Sequence, residues 1–453
     1  MLLYKSPPSA PPISPLVKRG VFSLNKMLLR FLLLFFLPFP IFATSLAITG
    51  TPETIFHYES DHCKVHYNEW QQGKFDFSDE PARAFIGSDG KVQLYITNSH
   101  GLYRSIGGTS LNSVFHRDCH PVLSSDYQNI GLHSHPSQLT NQLWFWALWK
   151  DPKSQNIYAL VHNEFHGEKN PRYCSGKDKN NCWYSNLIAA VSHNDGKTFE
   201  ILHNRYGVAP AIVSNFPYRI DGGRQGMPNA SNIVKNFFDK SDSHFYVLAL
   251  NMNCGNAPCL SKTDNKNGMC LFRADNIYYD KPTVWKAYDL GSKNFVRAFN
   301  QSPYQEKIAE PVTCTPVLPG LFRFGLSYNT ALHEYIAVGL NTNYPTKQGP
   351  ITTVVYAISR GSLSNWDTGP RGQGYCIQTK AGDCMKATWM KASLSKDIYS
   401  LGYPTLLDPE SGDVNFQLTG KQPYLYFTTY LNQGGFFNRD VVRLPLRMSK
   451  DKV

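Results

Sequence analysis

The segment Tyr158-Ala-Leu-Val-His162-Asn-Glu164-Phe-His166 holds the most pointed chemistry in this sequence. Period-two alternation puts His162, Glu164 and His166 on one face of a strand. A carboxylate between two imidazoles at the end of an apolar run is costly unless it is bonded or used. Such a group suits general acid–base work; a strand-end hydrogen-bonding cluster is the plain alternative. The two histidines are four apart, but the glutamate is misplaced for a zinc protease and no helix is evident.

Other carboxylates recur beside turn residues. Asp79 precedes Pro81 and Arg83, and reads either as a site carboxylate or as a turn residue. Arg83 alternates with Phe85, which points it inward to orient a substrate carboxylate or a catalytic acid; a structural ion pair is the other reading. Asp221 lies in the Gly-rich stretch Tyr218-Arg-Ile-Asp-Gly-Gly-Arg224, either as a third carboxylate or in an Asp-Gly turn. Glu310 before Pro311 is a further candidate on the substrate side, together with His162 and His166. Glu306 and Asp408 read as loop residues. His133-Ser-His135 lacks a third ligand, so no metal site is assigned. There is no phosphate-cradling loop before a helix and no Gly-x-Ser-x-Gly elbow.

Strands must position these groups. Short runs rich in aromatic and β-branched residues recur, among them Val92–Thr97, Leu143–Trp149, Ile157–Val161, Phe245–Leu250, Tyr335–Gly339, Thr353–Ile358 and Tyr424–Thr428. A strand followed by a polar turn and then an aromatic repeats at Ala189…Phe199, Cys270…Trp285 and Tyr356…Trp366. The pattern predicts an all-β fold, a five-bladed β-propeller with six blades as the alternative. Five groups can be placed, near residues 80–150, 155–215, 225–290, 310–370 and 400–447. Ring closure is expected from Ala82–Ile86 pairing with the last strand, Val441–Leu446.

Residues 1–47 read as an N-terminal extension and signal peptide: Arg30 precedes a short apolar run that Pro38 and Pro40 interrupt. Residues 48–453 are then one propeller domain, secreted or periplasmic, with no stable membrane anchor. Residues 1–47 carry five of the 45 basic groups and none of the 34 acidic ones, so the remainder stands at +6. That charge is spread along the chain and speaks against nucleic-acid binding. The ten cysteines suit an oxidising compartment. Spacing suggests Cys174–Cys182, Cys376–Cys384 and Cys254–Cys259 as local staples, with Cys63–Cys119 and Cys270–Cys314 as longer links.

Ser192-His-Asn194-Asp-Gly196-Lys-Thr198-Phe199 resembles the Asp-box hairpin of sialidase-type propellers, with Asn194 and Phe199 in place of its usual Asp and Trp. More widely, Asp79-Glu-Pro-Ala-Arg83, His162-Asn-Glu164-Phe-His166, Cys182-Trp-Tyr184 and Gly402-Tyr-Pro…Tyr424-Leu-Tyr426 resemble the five-bladed glycoside hydrolases of the arabinanase and fructosidase superfamily. The resemblance implies a carboxylate pair or trio in an axial pocket. Glu164 would be the acid and Asp79 or Asp221 its partner, acting on extracellular carbohydrate. It implies no cofactor, although an axial cation is compatible with it. A glycan- or protein-binding propeller without catalysis is one alternative. A sialidase-like enzyme, needing three arginines such as Arg83, Arg219 and Arg297, is another.

Overall fold

The computed structural model describes residues 42–63, 65–67, 71–73, 76–96, 102–123, 142–167, 171–175, 182–204, 207–208, 210–212, 220, 223–252, 268–277, 285–297, 314–319, 322–347, 349–369, 372–432 and 438–452. Thr44–Lys450 form one compact unit, and Met1–Ala43 with Asp451–Val453 fall outside it.

Five antiparallel sheets follow one another along the chain. Blade 1 is Arg83–Ile86, Val92–Tyr95, Leu102–Ile106 and His116–Leu123. Blade 2 is Gln142–Lys150, Ile157–His166, Trp183–Ser192 and Glu200–Ile201. Blade 3 begins at Val234–Lys235 and ends at Asn294–Arg297. Blade 4 begins at Phe322–Asn329 and ends at Tyr375–Cys376. Blade 5 is Ile398–Leu407, Tyr424–Leu431 and Arg439–Lys452, with Phe42–Ile48 as its outermost strand.

Each sheet is apolar on both faces, because each face meets a different neighbour. In Gln142–Lys150, Leu143, Phe145 and Leu148 join Phe85, Tyr95 and Leu102 of blade 1. Trp144, Trp146 and Trp149 of the same strand join Phe245, Val247 and Phe272 of blade 3. Equivalent clusters fill the seams between blades 3 and 4, 4 and 5, and 5 and 1. Five seams for five blades close the ring, and closure removes the exposed edges that an open sheet would present.

The blade frame is shifted from the one expected. Leu143–Trp149 begins blade 2 and does not end blade 1. The closing strand also differs: Ala82–Ile86 overlaps the inner strand of blade 1, whose partner is Val92–Tyr95. Closure comes from Phe42–Ile48 beside Arg439–Lys452. Ile48 N donates to Gln378 O at 2.9 Å and Gln378 N to Leu46 O at 3.0 Å, so this strand also stitches blade 4. Leu46 is fully buried between blades 4 and 5. A domain boundary after residue 47 would therefore cut a paired strand.

Cys63–Cys119, Cys174–Cys182, Cys270–Cys314 and Cys376–Cys384 are bonded as the spacing suggested. Cys254 and Cys259 lie outside the described residues. Among the described residues no helix is long and apolar enough to cross a membrane. The turn after Ser192 is held by its own side chains: Gly196 N donates to Ser192 Oγ at 2.9 Å and Thr198 N to Asn194 Oδ1 at 2.9 Å. Asp195 of that turn accepts from Ser88 of blade 1 and from Lys150, which locks the two blades at the end where the inner strands finish.

A chain starting at Ile48 should be less stable than one starting at Thr44 by at least about 2 kcal/mol, the scale of burying one leucine side chain. Urea denaturation of the two forms checks this; equal midpoints and slopes would contradict it.

Candidate active site at one end of the axis

The first strand of each blade lines the axis, and Arg83 sits among them, only 2% exposed. Its Nε donates to Trp146 O of blade 2 at 2.7 Å. Nη2 donates to Ala230 O, on the approach to blade 3, at 3.3 Å. Nη1 donates to Thr405 Oγ1 of blade 5 and to Ala82 O, each at 3.2 Å. Strand irregularities make these acceptors available. Register slips at Leu160/Val161, where Ala147 and Phe145 are paired but Trp146 is skipped. It slips again between Gly402 and Thr405. A bulged residue leaves the ladder, so its polar groups can turn to another partner. Blade 4 comes close at the same level: a Cβ on Gly325 would stand 2.6 Å from Thr405 Cα. Burial pushes the Arg83 guanidinium down to about 9, with Glu80 acting in the opposite sense, so it keeps its charge at neutral pH. The sequence points Arg83 inward, either to orient a substrate carboxylate or catalytic acid or as a structural group; its guanidinium donates to Trp146, Ala82, Ala230 and Thr405.

Asp79 stands just before Arg83. Tyr403 Oη donates to its Oδ1 at 2.8 Å, and Arg439 Nη1 donates to the same oxygen. The Asp79 side chain keeps 22% exposure while that of Arg439 keeps 2%. Arg439 is stacked over Phe77 and Tyr430, each 4.7 Å from its guanidinium carbon. Burial lowers the Arg439 affinity for its proton, but Asp79, Tyr430 and Tyr403 together outweigh it and the net shift is upward. Tyr403 reaches Asp79 from the second irregular stretch of its strand with a left-handed backbone, φ 54°. Glu80 is buried at 1% exposure, and Phe145 N donates to its Oε1 at 3.2 Å.

Glu164 ends the second strand of blade 2 beside Gln142, where the inner strand begins. His166 Nε2 lies 2.7 Å from Glu164 Oε2. His162 Nε2 lies 3.4 Å from Oε1, an ion-pair distance. Trp146 Nε1 donates to His162 Nδ1 at 3.2 Å, so the ring proton belongs on Nε2, facing the carboxylate. Trp144 packs on the His162 ring at 4.7 Å. Burial raises the Glu164 carboxyl, but the two imidazoles outweigh it and hold it well below the usual carboxylate range. The acid role that the resemblance implies for Glu164 needs a proton that this setting disfavours.

Asp79 and Glu164 are thus tied to one end of the axis. Asp79 bonds Tyr403, whose ring meets Trp146 at 6.0 Å, and Trp146 bonds the histidine facing Glu164. Arg439, Tyr403, Trp146 and Glu80 were not singled out from sequence. Only Glu80 carried a local signal, its place between Asp79 and Pro81. Asp221, Glu310, His133, His135 and Arg219 lie outside the described residues. The segment leaving Asp221 does enter this end: Gly226 pairs with Ser185, and Ser185 with Glu164. Gly226 has φ 110°, and a Cβ there would meet Ser185 O at 1.9 Å, so only glycine fits. Arg297 belongs to the outermost strand of blade 3. With Arg83 enclosed, the arginine set of a sialidase is not assembled among the described residues.

No protein-family model and no curated protein matches this sequence. Among solved structures the chain is similar to a glycosyl hydrolase from Bacteroides ovatus, with TM-score 0.45 and 10% identity over 90% of this chain and 96% of that one. It is similar to a levansucrase mutant from B. megaterium, with TM-score 0.46 and 9% identity over 89% and 91%. It is similar to the Cellvibrio cellulosa alpha-L-arabinanase, with TM-score 0.40 and 10% identity over 82% and 91%. The five-bladed architecture stands on the strand order and the five interblade seams themselves.

The folded chain holds Glu164 below its ordinary value of 4.5. Its ionised form therefore adds stability that is fully present above that value and is lost as the pH falls below it. Denaturation of the parent and of Glu164→Gln between about pH 3 and 7 should show a stability gap that closes under acid. A gap that widens under acid would contradict the ionised state.

Proposed function

We propose that this protein is a glycoside hydrolase acting on carbohydrate outside the cytoplasm, with Asp79 and Glu164 among its working carboxylates. The observation that carries the reading is their shared end of the axis, each carboxylate held by donors and linked through Tyr403, Trp146 and His162. Glycoside cleavage needs a carboxylate that attacks the anomeric carbon or activates water, and an acid that protonates the departing oxygen. Asp79 suits the first task, because Arg439 and Tyr403 both donate to one of its oxygens and leave it an acceptor. Glu164 adds a second negative charge near the developing oxocarbenium ion. The acid is then assigned to Asp221, the third carboxylate of the sequence reading. Arg83 supplies fixed positive charge on the axis, the place that the resemblance leaves for a cation. The disulfides suit an oxidising compartment.

The test uses the chain from Thr44 onward, presented with mixed polysaccharides and oligosaccharides, with released sugars read by mass spectrometry. The parent should cleave. Asp79→Asn and Glu164→Gln, checked for folding, should each lose at least about a hundredfold in rate. Equal cleavage by parent and variants would move the chemistry elsewhere. Binding without cleavage by the parent would make the chain a glycan-binding propeller.

A further inference from the structure

The inner strand of blade 5, Ile398–Leu407, breaks register with its neighbour twice, between Ile398 and Ser400 and between Gly402 and Thr405. The second irregularity contains Tyr403, which reaches Asp79. The first contains Tyr399. A bulge re-aims a side chain, and here the tyrosine ring is left 48% exposed, an unusual state for so large an aromatic. The ring is nevertheless supported. It meets Tyr430 at 5.9 Å, and Tyr430 is itself only 8% exposed. Arg439 covers Tyr430 at 4.7 Å and bonds Asp79. Tyr430 and Arg439 therefore link the exposed ring to Asp79. Gly402 makes room for the support, since a Cβ there would stand 2.6 Å from the Tyr430 ring.

A polar cleft of about 380 Å³ opens beside the start of this strand, lined by His57, Glu59, Lys396, Asp397, Asn438 and Asp440. Lys396 and Asp397 immediately precede Ile398, and Asp440 follows Arg439. Sugar hydroxyls both donate and accept, and this lining offers groups of both kinds. Tyr399 follows Asp397 of this cleft by two residues, and a flat aromatic with mixed donors and acceptors has the composition of a carbohydrate subsite.

We propose that Tyr399 is the stacking platform for a second sugar ring, so that the ligand is an oligosaccharide running from Asp79 across blade 5. The inference rests on the carbohydrate reading above and adds chain length and direction to it. It is tested by titration calorimetry of the chain from Thr44 onward with arabino-, xylo- and fructo-oligosaccharides, from monosaccharide to pentasaccharide. The parent should bind the pentasaccharide of at least one series at least about tenfold more tightly than its monosaccharide. Tyr399→Ala should remove that advantage and leave monosaccharide affinity unchanged. Tyr399→Phe should retain it, since stacking needs the ring and not the hydroxyl. An unchanged pentasaccharide affinity in Tyr399→Ala would overturn the platform while leaving the site at Asp79 intact. So would equal losses for short and long ligands. No binding of any probe by the folded parent would overturn the carbohydrate reading and the platform together.

Discussion

One buried guanidinium sets the geometry on which the rest of this molecule depends. Arg83 belongs to blade 1, yet its donors reach the inner strand of blade 2, the approach to blade 3 and the inner strand of blade 5. A charge buried this deeply is tolerated only where its hydrogen bonds are supplied, and backbone carbonyls supply them. The carbonyl of Trp146 is available because its strand is bulged. The same bulge aims the Trp146 indole at His162. Axial closure and presentation of the site thus draw on one irregularity.

The site inherits its electrostatics from this arrangement. Two carboxylates and three positively charged or protonatable partners sit at this end, and neither carboxylate stands alone. Arg439 neutralises Asp79 from the last blade, while His162 and His166 flank Glu164 within blade 2. The first pairing closes a separation of 360 residues, the second one of two residues. Ring closure by Phe42–Ile48 matters here, because Arg439 begins the strand beside which that segment lies.

That difference in separation marks what could be read from sequence. The Glu164 cluster was legible because strand alternation alone brings its members together. The local disulfides were legible because their loops are short. Asp79 could be named, but not its partners, since nothing near residue 79 points to Tyr403 or Arg439. The protonation of Glu164 was not legible for a related reason: burial and imidazole contacts act in opposite senses, and only the distances weigh one against the other. Blade number followed from repetition, whereas the blade frame did not. A hairpin within a blade and a connection between blades look alike in a row of short strands. The closing strand was hidden because Phe42–Ile48 continues an apolar run that reads, by sequence alone, as a targeting segment.

The axial claim is tested most directly by amide hydrogen exchange on Arg83→Met, a substitution that keeps volume and removes the donors. If Arg83 ties the inner strands together, exchange should quicken in three peptides far apart in sequence, those around Trp146, Ala230 and Thr405. It should stay unchanged in the outer strands of the same blades. Faster exchange confined to the peptide containing residue 83 would contradict the account, and the axis would then be held by the interblade seams alone.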